Sequence, residues 1–379
     1  MKYCKYCLST DLRPQAVFEN GVCLPCQYSG STSQVSSRAK LKILQEKFKI
    51  SRKKQKNKGA YDCIVGVSGG KDSTRQAHWV RDRLGLRPLI VCSGYTPKQM
   101  SEIGAKNLSN LFSMGFDVVI ATPAPQTAAE LALKSFKQFG NVCKSTEMSL
   151  YATVPRLAIE LGINTLFWGE NNALQVGESA IEGVDEFDGN NIRNMNTLNS
   201  GGMEWLFDSV EAAYLAEHYM YPSTDKFDKA GINIFFLGPA WDDWSNESNA
   251  TYAALEGLTL RPGEESQTGD LSNASMLDEE FTNINMMLKY FKFGFGRATD
   301  FVDEKIRSGL MARDQAIEIV EKYDGVCSDE IIARFSGYVG ISQDDFWDIA
   351  NGWVNKNLFT ITKSSRPIRK FEVGTDYEG

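Results

Sequence analysis

The segment YDCIVGVSGGKDSTRQA, residues 61–77, restricts the folds open to this chain more than any other. Its apolar run stops at Ser68, two glycines follow, and Lys71-Asp72-Ser73 lead into helical spacing. Gly69 and Gly70 let the backbone turn tightly and bring its N–H groups close to an anion. A helix expected over 73–84 adds its positive N-terminal end. Ser68 and Ser73 supply hydroxyl donors, and Lys71 supplies a mobile positive charge. The segment therefore reads as a phosphate cradle between a buried strand and a helix. Asp72 is expected to hold Mg²⁺ on the phosphates or to orient them. The four-residue spacer of a Walker loop is missing, so the phosphates should sit differently.

Further apolar runs extend this pattern. Strands are expected at 61–67, 88–92, 116–121, 164–169 and 232–237, and helices at 73–84, 97–114, 126–139 and 148–161 between the first four. Short buried strands joined by helical crossovers predict an α/β fold with a parallel sheet covered on both faces. Ligands bind such sheets at the carboxyl ends of the strands. That rule gathers Ser68 to Ser73, Ser93-Gly94-Tyr95-Thr96, Thr122-Pro123 and Gly169-Glu170-Asn171 on one rim.

Four of the eight cysteines lie in the first 26 residues, with the spacing C-x2-C-x15-C-x2-C at Cys4, Cys7, Cys23 and Cys26. Two such knuckles joined by a hairpin can aim four thiolates at one tetrahedral centre, which suits zinc. Asn20-Gly21 supplies the turn of that hairpin. A closed Cys4 site has no open coordination position, so the zinc is expected to be structural. Cys63 and Cys92 fall in strand-like runs and read as core.

The motif S-G-G-x-D-S is that of the PP-loop ATP pyrophosphatases. The resemblance implies cleavage of ATP between α- and β-phosphates, adenylation of a substrate oxygen and release of pyrophosphate. Across nearly the whole chain the sequence further resembles the N-acetyl sugar amidotransferases of bacterial surface-polysaccharide assembly. The features that carry it are CKYCLSTDLRP…FENGVCLPC, YDCIVGVSGGKDS, FWGEN and residues 288–325. It implies an ATP- and Mg²⁺-dependent ligase that turns the acetamido group of a nucleotide-linked sugar into an acetamidino group, for O-antigen or related glycan synthesis. Lys71, Asp72, Ser73 and Glu170 are the catalytic candidates. Ser68, Gly69, Gly70, Ser93 and Tyr95 join Lys71, Asp72 and Ser73 around the nucleotide.

Ammonia needs a source. Position 2 is Lys2, and the only histidines are His78 and His218, both in expected helices, so no glutaminase is visible. The resemblance implies a separate supplier like the glutaminase and barrel of imidazole glycerol phosphate synthase. The basic stretch 38–58 is either a solvated linker or helix face, or a docking stripe for an acidic partner.

Beyond about residue 240 the texture becomes helical, with patterns at 278–290, 298–309, 312–323 and 341–354. YFKFGFGRATD (290–300) interleaves aromatic residues with Lys292, Arg297 and Asp300, a set suited to a nucleotide-sugar. Asn171 is assigned to the same substrate, while Arg307 and Arg313 are weaker candidates. Residues 188–202, rich in Asn and Gly, form either a lid or a plain insertion. The expected organisation is a zinc ribbon over 1–30, a basic helical linker over 31–58, a PP-loop domain over 59–240 and a mainly helical substrate or partner region over 241–379.

Two other classes compete. A tRNA-thiolating PP-loop enzyme would pass sulfur through paired cysteines, but Cys143 stands without a CxxC beside it. A net charge of −7 also disfavours nucleic acid. A non-catalytic scaffold would not need the intact Ser68–Ser73 motif. No apolar run reaches the ~20 residues of a membrane span, so a cytoplasmic protein is expected.

Overall fold

The computed structural model describes residues 1–14, 16–30, 37–53, 55, 59–169, 187–194, 198, 203–207, 217–241, 243–361 and 366–379. Its centre is a parallel sheet of five strands: β3 (Cys63–Val67), β4 (Pro88–Ser93), β5 (Val118–Ala121), β6 (Thr165–Trp168) and β7 (Asn233–Phe236). They lie side by side in the order β5-β4-β3-β6-β7. Ile64 pairs with Leu89 on one side and Leu166 on the other, so β3 is the strand from which the order runs both ways. A crevice for ligands opens at the carboxyl end of such a strand.

The pleat sorts the apolar residues. Cys63, Val65 and Val67 face one side, where Ile90 and Cys92 join them under Ala77, Val80, Leu108 and Leu111. Ile64, Leu89 and Val91 face the other and pack against Met148 and Val154. Alternate side chains thus feed two cores, and each fully buried Ile or Val contributes about 1.5–3 kcal/mol. Helices Lys71–Asp82, Glu102–Ser113, Pro125–Phe139 and Lys144–Leu161 make the crossovers. The expected strands and helices are all present, with boundaries displaced by a few residues. The largest displacement is at the expected helix 97–114, which begins at Glu102 because the Ser101 hydroxyl accepts from the Gly104 N–H and caps it there.

The basic stretch forms the helix Ser37–Lys53. Leu44 is fully buried and Phe48 nearly so, both against the sheet, and the Ser51 hydroxyl meets that of Thr165 at 2.8 Å. The segment is a docked helix with an outward basic face rather than a free tether. Lys54 and residues 56–58 lie outside the described residues.

At the amino end, β1 (Phe18–Glu19) and β2 (Val22–Cys23) form the expected hairpin. Its turn residues Asn20 and Gly21 both take positive φ, at 53° and 76°. The ribbon rests on the C-terminal helices. Asp303 accepts from the Leu8 N–H at 2.7 Å and from the Ser9 hydroxyl at 2.5 Å. Asp300 pairs with Arg13 and, at 2.6 Å, with Lys289.

The C-terminal region is helical, as expected, over Thr282–Phe293, Arg297–Arg307, Arg313–Tyr323 and Gln343–Gly352. Helices Asn246–Leu255 and Asp329–Val339 are additional. Phe136 of a crossover helix stacks edge-on against Phe335 at 5.8 Å, joining this region to the sheet domain. One expectation is corrected here. Tyr290, Phe291 and Phe295 are buried, the first two in the C-terminal core, and form no open aromatic face for a ligand. No helix among the described residues is long and apolar enough to cross a membrane.

Candidate functional site

The turn after β3 has the geometry of an anion cradle. Gly69 takes φ +91°, and an added Cβ there would press on the Leu108 N–H at 3.3 Å. The helix starts at Lys71, two residues earlier than the sequence suggested, with Gly70 as its cap. The first-turn N–H groups therefore belong to residues of the motif itself. The Ser68 hydroxyl accepts from the Gly70 N–H at 3.3 Å, and the Ser73 hydroxyl donates to the Gly70 carbonyl at 3.2 Å. These bonds shape the loop before any ligand arrives. Gly69→Ala is expected to weaken nucleotide binding at least about tenfold, because it forces an L side chain into positive φ beside a backbone contact. Isothermal titration with ATP would read this directly.

Lys71 is not the mobile charge that was expected. It is 6% exposed, and its ammonium lies 2.5 Å from Asp72 Oδ2. Asp72 Oδ1 accepts from Asn249 Nδ2 at 2.6 Å, and Asn249 Oδ1 accepts from Arg75 at 2.7 Å. Arg75 in turn grips both oxygens of Asp243, at 2.9 and 2.7 Å. The Asp72 carboxylate is thus aimed by a chain of bonds reaching into helix Asn246–Leu255. Sequence reasoning missed Arg75 and Asn249. Arg75 lies one helical turn from Asp72, a detectable spacing, whereas nothing local marks Asn249.

Beside the cradle, the ends of β4 and β5 and the start of helix Lys144–Leu161 enclose a cleft. Ser93, Tyr95, Gln99, Ser145, Thr146 and Ser149 line it, all neutral hydrogen-bonding groups. Ser93 and Ser149 meet hydroxyl to hydroxyl at 3.2 Å. Tyr95 donates to Asp278 Oδ2 at 3.0 Å. Burial pushes the Tyr95 hydroxyl well up, and the neighbouring Asp278 adds to it. Asp278 also accepts a hydrogen bond from Ser68 and feels the charge of Lys71, although burial dominates and raises its pKa. Asp278 was missed as well, since it sits 205 residues after Ser73 on a loop. A Cβ at Gly104 would collide with the Asp278 carbonyl, so that loop lies tightly against the sheet domain.

The remaining candidates divide. Glu170 and Asn171 lie outside the described residues, as does much of 188–202. The Lys292 ammonium donates to the Phe139 carbonyl at 2.7 Å, and burial pushes its pKa down to about 8. Burial opposes ionisation of Asp300, yet Arg13 and Lys289 hold its carboxyl well below the usual range. Lys292 thus ties its helix to the end of helix Pro125–Phe139, and Asp300 ties the ribbon to the C-terminal helices. Arg297 donates to Ser275 at 2.6 Å and so braces the loop that carries Asp278. Arg313 donates to the Gly374 carbonyl. His78 meets the Tyr252 hydroxyl at 3.0 Å, and burial lowers its pKa. Burial lowers His218 to about 4. Cys143 is buried beside Thr282, and burial pushes its thiol well up.

The four ribbon cysteines converge. Their sulfurs all lie within 4.8 Å of one another, and Cys7 and Cys23 are 3.6 Å apart. Zinc–thiolate bonds of ~2.3 Å in a tetrahedron place sulfurs roughly 3.8 Å apart, so this set fits a single ion. The N–H groups of Tyr6, Ser9 and Cys23 point at the sulfurs of Cys4, Cys7 and Cys4, at 3.5, 3.5 and 3.4 Å. Such donors stabilise bound thiolates. Hydrogen bonds from Cys23 push the Cys4 thiol strongly down even without an ion.

The strand order, the crossover helices and the Ser68–Ser73 cradle define the class: a parallel α/β fold with an anion cradle after its central strand, an amino-terminal four-cysteine cluster and a helical C-terminal region. Residues 276–372 match the family model described as LPS biosynthesis protein WbpG-like, C-terminal domain. No curated protein matches the chain. Among solved structures, the U34-tRNA thiolase NcsA from Methanococcus maripaludis with its [4Fe-4S] cluster is 13% identical. That alignment covers 89% of this chain and 95% of that one at a TM-score of 0.29.

Proposed function

We propose that this chain is a cytoplasmic ATP-dependent amidotransferase of lipopolysaccharide or related glycan synthesis. It would adenylate the acetamido oxygen of a nucleotide-linked sugar and let ammonia displace AMP. One observation carries the reading. The segment matching an LPS-biosynthesis family reaches the phosphate cradle, through Asp278 on Ser68 and Tyr95. The family-specific region and the adenylating loop therefore share one site.

The chemistry suits the arrangement. An amide carbonyl is a poor electrophile. Attack of its oxygen on the α-phosphorus of ATP expels pyrophosphate and leaves an imidate carrying AMP. The loop N–H groups and the Ser68 and Ser73 hydroxyls neutralise phosphate charge as it shifts. Mg²⁺, when bound, would share that charge, and Asp72 is the residue to hold it. The cleft at Ser93 and Tyr95 accepts the nucleoside end of ATP, and its walls keep water from the imidate. A structural zinc in the ribbon holds no substrate.

Cys143, buried and with its thiol pushed up, is poorly suited to carry sulfur, which weighs against the tRNA-thiolating alternative. Pyrophosphate release should be measured with UDP- or CMP-linked acetamido sugars, with tRNA and with neither. Release only with a nucleotide-sugar is expected, together with a product about one mass unit lighter when ammonium is supplied, as replacement of O by NH in activated acyl chemistry requires. Release driven by tRNA alone would overturn the proposal.

Ammonia would come from a separate glutaminase with a barrel subunit. The purified chain should use ammonium at high pH and glutamine only when that partner is present, since only neutral NH₃ has a lone pair for attack. Hydrolysis of glutamine by the chain alone would refute this.

A further inference from the structure

We propose that Asp278 is the proton acceptor that converts bound ammonium into attacking ammonia. This assignment rests on the amidotransferase reading and adds a catalytic residue to it. If the phosphates occupy the Ser68–Ser73 cradle and the nucleoside occupies the Ser93 cleft, the α-phosphate lies at their junction. Asp278 stands at that junction, bonded to Ser68 of the cradle and to Tyr95 of the cleft.

The other acid–base groups near the rim are committed elsewhere. Asp72 is held by Lys71 and Asn249. Both oxygens of Glu279 are occupied, one by the Thr282 N–H at 2.7 Å and the other by the Phe281 N–H at 2.9 Å. His78 is bonded to Tyr252, and His218 is buried with a depressed pKa. Among the described residues this leaves Asp278 as the carboxylate facing both halves of the site. The charged and titratable groups around it are Lys71, Tyr95, Glu279 and Cys92. Burial disfavours its ionised form, whereas the bonds from Tyr95 and Ser68 and the charge of Lys71 favour it, so the carboxylate is available to hold a monocation and take its proton.

The step balances. Ammonium gives one proton to the Asp278 carboxylate and becomes NH₃. The nitrogen lone pair forms the C–N bond at the imidate carbon, and the C–O bond to AMP breaks with its electron pair leaving on AMP. The three hydrogens of NH₃ stay on the amidinium product. The Asp278 proton passes to solvent as products leave.

Hydroxylamine separates this role from others, because it is a weaker base than ammonia, is already neutral at pH 7 and needs no proton acceptor. Asp278→Asn is expected to lose about 10²-fold more in amidine formation from ammonium at pH 7 than in N-hydroxyamidine formation from hydroxylamine, since any disturbance of Ser68 and Tyr95 slows adenylation for both nucleophiles alike. Its ammonium-dependent rate should rise about tenfold per pH unit below the pKa of ammonia, tracking free NH₃, whereas the wild type rises less steeply. Asp278→Glu should recover part of the ammonium rate. Should the Asn variant melt below the wild type, Asp278→Ser carries the same comparison. Equal loss with both nucleophiles would overturn the assignment while leaving the amidotransferase reading intact. A wild-type enzyme that forms neither product from any acetamido nucleotide-sugar would overturn the reading, and the assignment with it.

Discussion

Asp72→Ala is expected to lower substrate-dependent pyrophosphate release by about 10²–10³-fold or more, with the melting temperature nearly unchanged. The carboxylate is partly exposed, with its side chain 23% accessible, and its contacts are polar ones to Lys71 and Asn249. Its removal therefore opens no apolar cavity. What disappears is the anion that would hold Mg²⁺ and balance Lys71 next to the transferring phosphate. Asn249→Ala provides the graded control. It leaves Asp72 in place but removes the donor that aims Oδ1, and Asn249 itself is fully buried. A smaller loss, about tenfold, is expected for one misplaced catalytic carboxylate. A discontinuous pyrophosphate assay beside thermal melts reads both. An Asp72→Ala protein that turns over ATP normally with substrate would remove the cradle from the chemistry.

Metal removal is the second large effect. One zinc per chain is expected by elemental analysis, and chelation should unfold the ribbon, because a closed Cys4 site supplies on the order of 10 kcal/mol of binding free energy that is also folding free energy. The consequence extends past residue 30. Asp303 is 1% exposed and depends on the Leu8 N–H and the Ser9 hydroxyl, the two residues directly after Cys7. Losing both donors leaves a buried carboxylate unsatisfied, at about 1–3 kcal/mol for each lost partner. Asp300 loses Arg13 at the same time. The melting temperature of the whole chain should fall, and limited proteolysis should cut first within the ribbon. Cys4→Ser should reproduce the effect, and Asp303→Asn a fraction of it. A metal-free protein that keeps its melting temperature would show that the ribbon is an appendage.

The sequence reads well where structure depends on neighbours along the chain. The unbroken apolar run at Cys63, Ile64 and Val65 predicted a strand buried on both faces, and the sheet uses both. Gly69 and Gly70 predicted the tight turn, and the cysteine spacing with Asn20-Gly21 predicted a converging ribbon. These are local: period, turn chemistry and knuckle spacing need no knowledge of what packs opposite. The rim itself followed from the parallel-sheet rule alone. Glu170 and Asn171, expected on that rim, lie outside the described residues.

Other features depended on contacts between segments far apart in sequence. Lys292 and Asp300 had the charge and aromatic setting of a ligand site. The fold instead turned Tyr290 and Phe291 into a core and left those charges to bond Phe139, Arg13 and Lys289. Asn249 and Asp278 carried no local signal. They reach the cradle because helix Asn246–Leu255 packs on the helix after β3, and because the loop before helix Thr282–Phe293 lies across Gly104. A side chain's type and spacing are written in the chain, and with them the cradle and the ribbon were determined. Which donor faces Asp72, and which carboxylate stands between phosphate loop and cleft, was decided by tertiary packing, because a hydrogen bond of 2.6 or 3.0 Å exists only once two distant backbones are held in register.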